Sequence, residues 1–215
     1  MLCFPAWALD HRELALVVNT LDPLSVEIGK YYARKRKIDF QNVVRVAFEP
    51  KAALSKEEFE LIKQQVDEQV RPQVQAFALA WAAPWRVECM SITSAFAFGF
   101  DPASCAWGCK PTPFSRYFAS ATRAPYAELG IRPAMALAAA SLEEAKALID
   151  RGVAADGTHP EGAAYLLITP DAARSVRSPG YLLARRVAKG RIPVKVLQQD
   201  TLTYRTDVLF YFTGA

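Results

Sequence analysis

The chain contains no run of the roughly 18 apolar residues that a membrane-spanning helix requires. Histidine is scarce: His11 and His159 are the two present in 215 residues. That removes most imidazole-based metal and triad schemes. The four cysteines, Cys3, Cys89, Cys105 and Cys109, include no second close pair and no nearby histidine to complete a zinc set, so no metal is implied. No G-x-G-x-x-G follows the first apolar run, which excludes a dinucleotide fingerprint. The motifs G-x-x-x-x-G-K-[ST], G-x-S-x-G and H-E-x-x-H are also absent, and no cofactor is called for. Neither sign of charge dominates: the net charge is +4, too mild for an electrostatic case for nucleic acid. The run Arg34-Lys35-Arg36-Lys37 closes a predicted helix, where cations offset the negative end of the macrodipole. A solvated helix end accounts for it better than a phosphate site.

What is present is an α/β pattern. Residues 14–19, LALVVN, form a continuous apolar run of the kind expected for a strand covered on both faces. Asp22 and Pro23 then give an N-cap and a first helical position, and Leu24, Ile28, Tyr31 and Tyr32 make one apolar stripe. A second strand is predicted at 42–48, and a second helix opens with the capping box Ser55 and Glu58. Further strands are predicted at 75–81, 134–140, 163–169, 193–198 and 207–214, with a helix after Ser141 and helical material starting at Asp171 or Ser178. This alternation predicts a three-layer α/β fold, Rossmann-like or flavodoxin-like, with a mostly parallel sheet and helices on both faces. Residues 10–215 are read as one domain.

The rhythm breaks between about 82 and 132, where prolines, three cysteines and unperiodic aromatics collect. Such an insertion serves as an active-site cover, a binding loop, an oligomer contact or a plain structural loop. A short helix is expected within it at SITSAFAFGF. Ligands in open parallel sheets sit beyond the carboxyl ends of the strands, which directs attention to Asp22, Trp81 and Arg86 as ligand-binding candidates. Asp22 has a sufficient reading as a helix cap, and core packing with a surface ion pair is the plainer reading of Trp81 and Arg86. Cys89 is the candidate nucleophile, beside a buried structural alternative. Asp156 and His159, three apart in a Gly- and Pro-bearing loop, are a candidate acid–base pair beside a reading as plain surface. Cys105 and Cys109 are spaced for a tight disulfide in an oxidising compartment, or for two unpaired thiols. Trp81, Trp85 and Trp107 offer stacking surfaces for a sugar or peptide.

Several stretches together resemble a family of bacterial exported proteins of unassigned activity, frequent in genomes that encode the PEP-CTERM sorting system. They are LALVVNTLDPLSVEIGKYYARKRKI at 14–38, MSITSAFAFGFD at 90–101, IRPAMALAAASLEEAKALIDRGVAADGTHPEGAAYLL at 131–167 and VLFYFTG at 208–214. Lys37-Ile38-Asp39 stands where members more usually have Gly-Ile-Pro. The resemblance implies a signal peptide and a further conserved portion beyond the last strand. On that basis residues 1–9, with Ala6-Trp7-Ala8 as a signal-peptidase site, are expected to be a signal-peptide remnant, and the chain a C-terminally truncated member. Three functional expectations follow: an exported α/β protein of unassigned activity, a cysteine-peptidase-like hydrolase at the carboxyl edge of the sheet, or a sugar- or peptide-binding module. The partner expected is a small molecule, sugar or peptide.

Overall fold

The computed structural model describes residues 9–105, 111–172, 174–187 and 192–213. All of the expected signal-peptide remnant except Leu9 lies outside the described residues. Where the sequence suggested one domain over 10–215, the chain forms two compact units, Met1–Ala154 and Ala155–Ala215.

In the first unit the apolar run forms β1 (Leu14–Asn19). Asp22 caps α1 (Pro23–Arg36) by accepting a hydrogen bond from the Leu24 N–H, and Lys37 ends the helix in the left-handed region. A 3-10 turn (Phe40–Asn42) leads into β2 (Val43–Val46). The short β3 (Ala53–Leu54) precedes α2 (Lys56–Gln69), which opens on the Ser55–Glu58 capping box anticipated from the sequence. There follow β4 (Ala76–Leu79), β5 (Arg86–Val87), β6 (Met90–Ser91), α3 (Ile92–Phe98), α4 (Pro125–Leu129), β7 (Ala134–Ala136) and α5 (Leu142–Ala154).

The main sheet runs β2-β1-β4-β7 and is parallel throughout. Alternate side chains of a strand point to opposite faces, so each strand feeds two cores. Ala15, Val17, Phe77 and Leu79 pack with Phe59, Ile62 and Val66 of α2 and with Ile92, Ala95 and Phe96 of α3. Leu16, Val18, Ala78 and Ala80 pack with Ile28 of α1 and with Ala145 and Ile149 of α5. The result is an α/β fold with helices on both faces of a parallel sheet. Each fully buried aliphatic or aromatic side chain contributes roughly 1.5–3 kcal/mol. The chain turns one way from β1 to β2 and the other way from β4 to β7, so the strand order reverses between β1 and β4. A small separate sheet joins β3, β5 and β6, in which only the β5–β6 hairpin is antiparallel.

The second unit repeats the scheme with β8 (Ala163–Ile168), a 3-10 turn (Arg174–Gly180), α6 (Tyr181–Val187), β9 (Val194–Gln198) and β10 (Val208–Phe212). Its sheet, ordered β10-β8-β9, is also all parallel. Ala164 and Leu166 pack against Tyr181, with Val194 and Val196 alongside. Gly162 admits the chain ahead of β10, because a Cβ there would lie 2.7 Å from the Asp207 carbonyl oxygen.

The two units share a strand-exit device. The N–H of Asn19, the last residue of β1, donates to Ser25 Oγ, and the Thr169 N–H just beyond β8 donates to Ser175 Oγ, both at 2.9 Å and both across six residues. A serine in the segment after each strand thus satisfies a strand-end amide that would otherwise be buried without a partner.

Helix α1 lies so close to β1 that Gly29 has no room for a side chain: an added Cβ would sit 2.6 Å from Val18 Cγ2. Both residues are buried, and overpacking of this kind typically costs ~1–3 kcal/mol. Gly29→Ala is therefore expected to destabilise the protein by about that amount, despite alanine's higher helix propensity. Chemical denaturation of the two proteins measures it. An unchanged or higher midpoint for the variant would contradict the close approach of α1 to the sheet.

Candidate functional site

At the carboxyl edge of the main sheet the strand exits are tied down. Asn19 is fully buried. Its Nδ2 donates to the Phe48 carbonyl (2.8 Å), and its Oδ1 accepts from the N–H groups of Leu21 (3.1 Å) and Phe48 (3.2 Å). The Thr20 N–H and hydroxyl both reach the Val46 carbonyl. Asp22 is occupied as the α1 cap. Trp81 is only 1% exposed, edge-on to Phe48 (5.4 Å) and tilted on Phe96 (5.8 Å). Its indole is a core side chain and not a stacking platform for a ligand, because the strand carries it inward between α3 and the segment after β2. Arg86 is exposed on β5, opposite Ser91, and Trp85 beside it is 57% exposed.

Cys89 occupies the tip of the β5–β6 hairpin, next to Glu88, whose φ is positive. It is disulfide-bonded to Cys105, with the Cα atoms 5.6 Å apart. This corrects two readings. The bridge to Cys105 runs from Cys89 and not from Cys109, since the hairpin brings a sequence-distant thiol to the turn at Pro102–Ser104; Cys109 lies outside the described residues. Cys89 also has no free thiolate with which to act as a nucleophile. Asp156 and His159 are both exposed in the segment that leads to β8, in the second unit, whereas Cys89 is in the first. The candidates are thus not assembled within one unit.

A polar cavity of about 760 Å³ opens instead at the amino edge of the main sheet, lined by Leu9, Asp10, Arg12, Glu13, Asp39, Asn42, Arg71, Gln73 and Arg123. These residues precede β1, β2 and β4 or belong to the long insertion. Hydrogen bonds from Arg12 hold the Asp10 carboxyl below its ordinary pKa and raise that of the Arg12 guanidinium. Glu13 accepts from the Asp10 N–H, and Asp39 caps the 3-10 turn at Gln41. The Gln73 side-chain oxygen, turned toward Arg71, accepts from its Nε (2.8 Å) and Nη2 (3.0 Å). Asn42 is 2% exposed; its Nδ2 donates to the Arg12 carbonyl, while its Oδ1 is buried without a partner. Sequence reasoning missed this site because its members come from four separated segments and carry no motif. The one signal was a polar residue, Asn42, at the head of an apolar strand.

Comparison with protein-family models, curated proteins and solved structures yields no match for this chain. Among the described residues no cluster of His, Cys, Asp and Glu is arranged to hold a metal ion, and no helix is long and apolar enough to cross a membrane.

The second unit carries a polar cluster of its own. Tyr165, fully buried in β8, donates its hydroxyl hydrogen bond to Asp207 (2.7 Å). Lys195 of β9 donates to both the Tyr165 hydroxyl (2.8 Å) and Asp207 (2.9 Å). Lys195 and then Tyr165 lower the Asp207 pKa, and Tyr165 and then Asp207 raise that of Lys195. These directions set the sign of the pH response. The carboxylate's contribution is present above its unfolded pKa of about 3.9 and is lost as pH falls through the lower folded value. The ammonium's contribution is present below about 10.4 and is lost as pH rises through the higher folded value. Asp207→Asn is expected to lower the stability of the second unit near neutrality and to flatten its loss on acidification below about pH 4. Hydrogen exchange of β8 and β10 amides across pH measures this, and an acid response identical to that of the parent would refute the assignment.

Proposed function

We propose that this chain is the ligand-binding α/β module of an exported protein, with the amino-edge cavity as its binding site. The observation that carries the reading is the Cys89–Cys105 disulfide. Disulfides persist in oxidising compartments, which supports export, and this one occupies the thiol that a cysteine hydrolase would need. The bond also joins two parts of the long insertion, the β5–β6 hairpin and the turn at Pro102–Ser104, and the same insertion later supplies Arg123 to the cavity wall. Binding without turnover is the behaviour this arrangement favours. Concave sites with a few convergent polar groups are the usual form of small-molecule sites.

The test is peptide mapping of protein recovered from the periplasm, alkylated before and after reduction. A Cys89–Cys105 cross-linked peptide is expected, with Cys89 labelled only after reduction. A bridge enclosing a loop of this length is worth roughly 2–4 kcal/mol, so the double variant Cys89→Ser with Cys105→Ser is expected to lose about that much stability. Labelling of Cys89 without reduction, together with hydrolytic activity that the label abolishes, would replace this reading with the hydrolase.

A further inference from the structure

We infer that the amino-edge cavity takes a small ligand bearing both a carboxylate and hydroxyl groups, of the uronic-acid class. The inference rests on the cavity being the binding site and adds what it recognises. Its three acidic side chains are each engaged locally: Asp10 by Arg12, Glu13 by the Asp10 N–H, and Asp39 by the Gln41 N–H. Its three guanidiniums are not equally engaged. Arg12 is paired with Asp10 at 2.6 Å. Arg71 faces only the neutral amide of Gln73. Arg123 has no hydrogen-bond or ion-pair partner among the described residues. Arg71 and Arg123 therefore bring positive charge to the wall with no carboxylate of the protein to meet it. A guanidinium presents a planar fork of donors that matches a carboxylate in bidentate fashion.

The second requirement comes from the acidic side chains of the wall. The carboxylates of Glu13 and Asp39 each keep further acceptor capacity beyond the one backbone N–H they bind. The site thus offers cations to an anion and acceptors to hydroxyl donors. A phosphate dianion offers no comparable array of donors. A neutral sugar would leave the two guanidiniums unmatched. A sugar acid satisfies both, and a volume of about 760 Å³ is in the range of small-ligand clefts.

Isothermal titration of the full chain with trigalacturonate, neutral galactotriose and inorganic phosphate tests this. The expected result is saturable binding of trigalacturonate, with galactotriose and phosphate at least ten-fold weaker. Arg71→Gln combined with Arg123→Gln is expected to weaken trigalacturonate at least ten-fold while leaving the melting temperature unchanged. Absence of saturable trigalacturonate binding by the folded protein would overturn the ligand class, as would equal affinity for galactotriose or an unaffected double variant. Galactotriose binding that competes at the cavity would do so while leaving the binding-module reading intact. Thiol-dependent turnover would instead sink the module reading itself.

Discussion

The arrangement of the first unit depends on one buried side chain, Asn19. At the end of the central strand β1 it serves as hydrogen-bond donor and acceptor at once, holding Phe48 through both the carbonyl and the N–H and fixing the turn at Leu21. Its own N–H is held by Ser25 in the first turn of α1. The exit from β1 into α1 and the segment after β2 are thereby locked to a single point. A buried amide with every group paired is worth keeping, because removing any partner exposes the rest to the full desolvation penalty. The close approach of α1 to β1 at Gly29 and Val18 follows from that fixed starting position.

The same clamp bears on where a ligand can bind. In open parallel sheets the carboxyl edge, and above all the point where strand order reverses, is the usual place for a site. Here that reversal falls between β1 and β4. Asn19 and Thr20 tie the β1 exit to the segment after β2, and Trp81 fills the β4 exit from within the core. Arg71 and Arg123, which meet no carboxylate among the described residues, line the cavity at the opposite edge. The disulfide contributes indirectly, by cross-linking the first part of the insertion that carries Arg123.

Much of the fold was legible in the sequence. Runs rich in apolar residues marked the seven longer strands, and Asp22 and the Ser55–Glu58 box marked helix starts at the residues where they occur. The three short strands β3, β5 and β6 were not legible, since two residues have no period to read. Nor was the division into two units: strand–helix alternation is the same whether it feeds one sheet or two, and only Gly157, Pro160 and Gly162 interrupt the pattern between them. The cysteine pairing was misread because local spacing favoured Cys109, whereas the hairpin brings Cys89 to Cys105. The cavity was invisible for a related reason. Its residues are separated by more than a hundred positions, and four segments bring them to one sheet edge only once the chain is folded.

The central claim is that binding occurs at the amino edge of the main sheet, on guanidiniums that meet no carboxylate of the protein among the described residues. The most direct measurement is the pattern of amide chemical-shift changes when trigalacturonate is added to isotopically labelled protein. The shifts are expected at Arg12, Asn42, Arg71, Gln73 and Arg123, with Asn19 to Asp22 and Trp81 to Arg86 unmoved. Shifts concentrated at those two carboxyl-edge segments, with the amino-edge residues silent, would contradict the account.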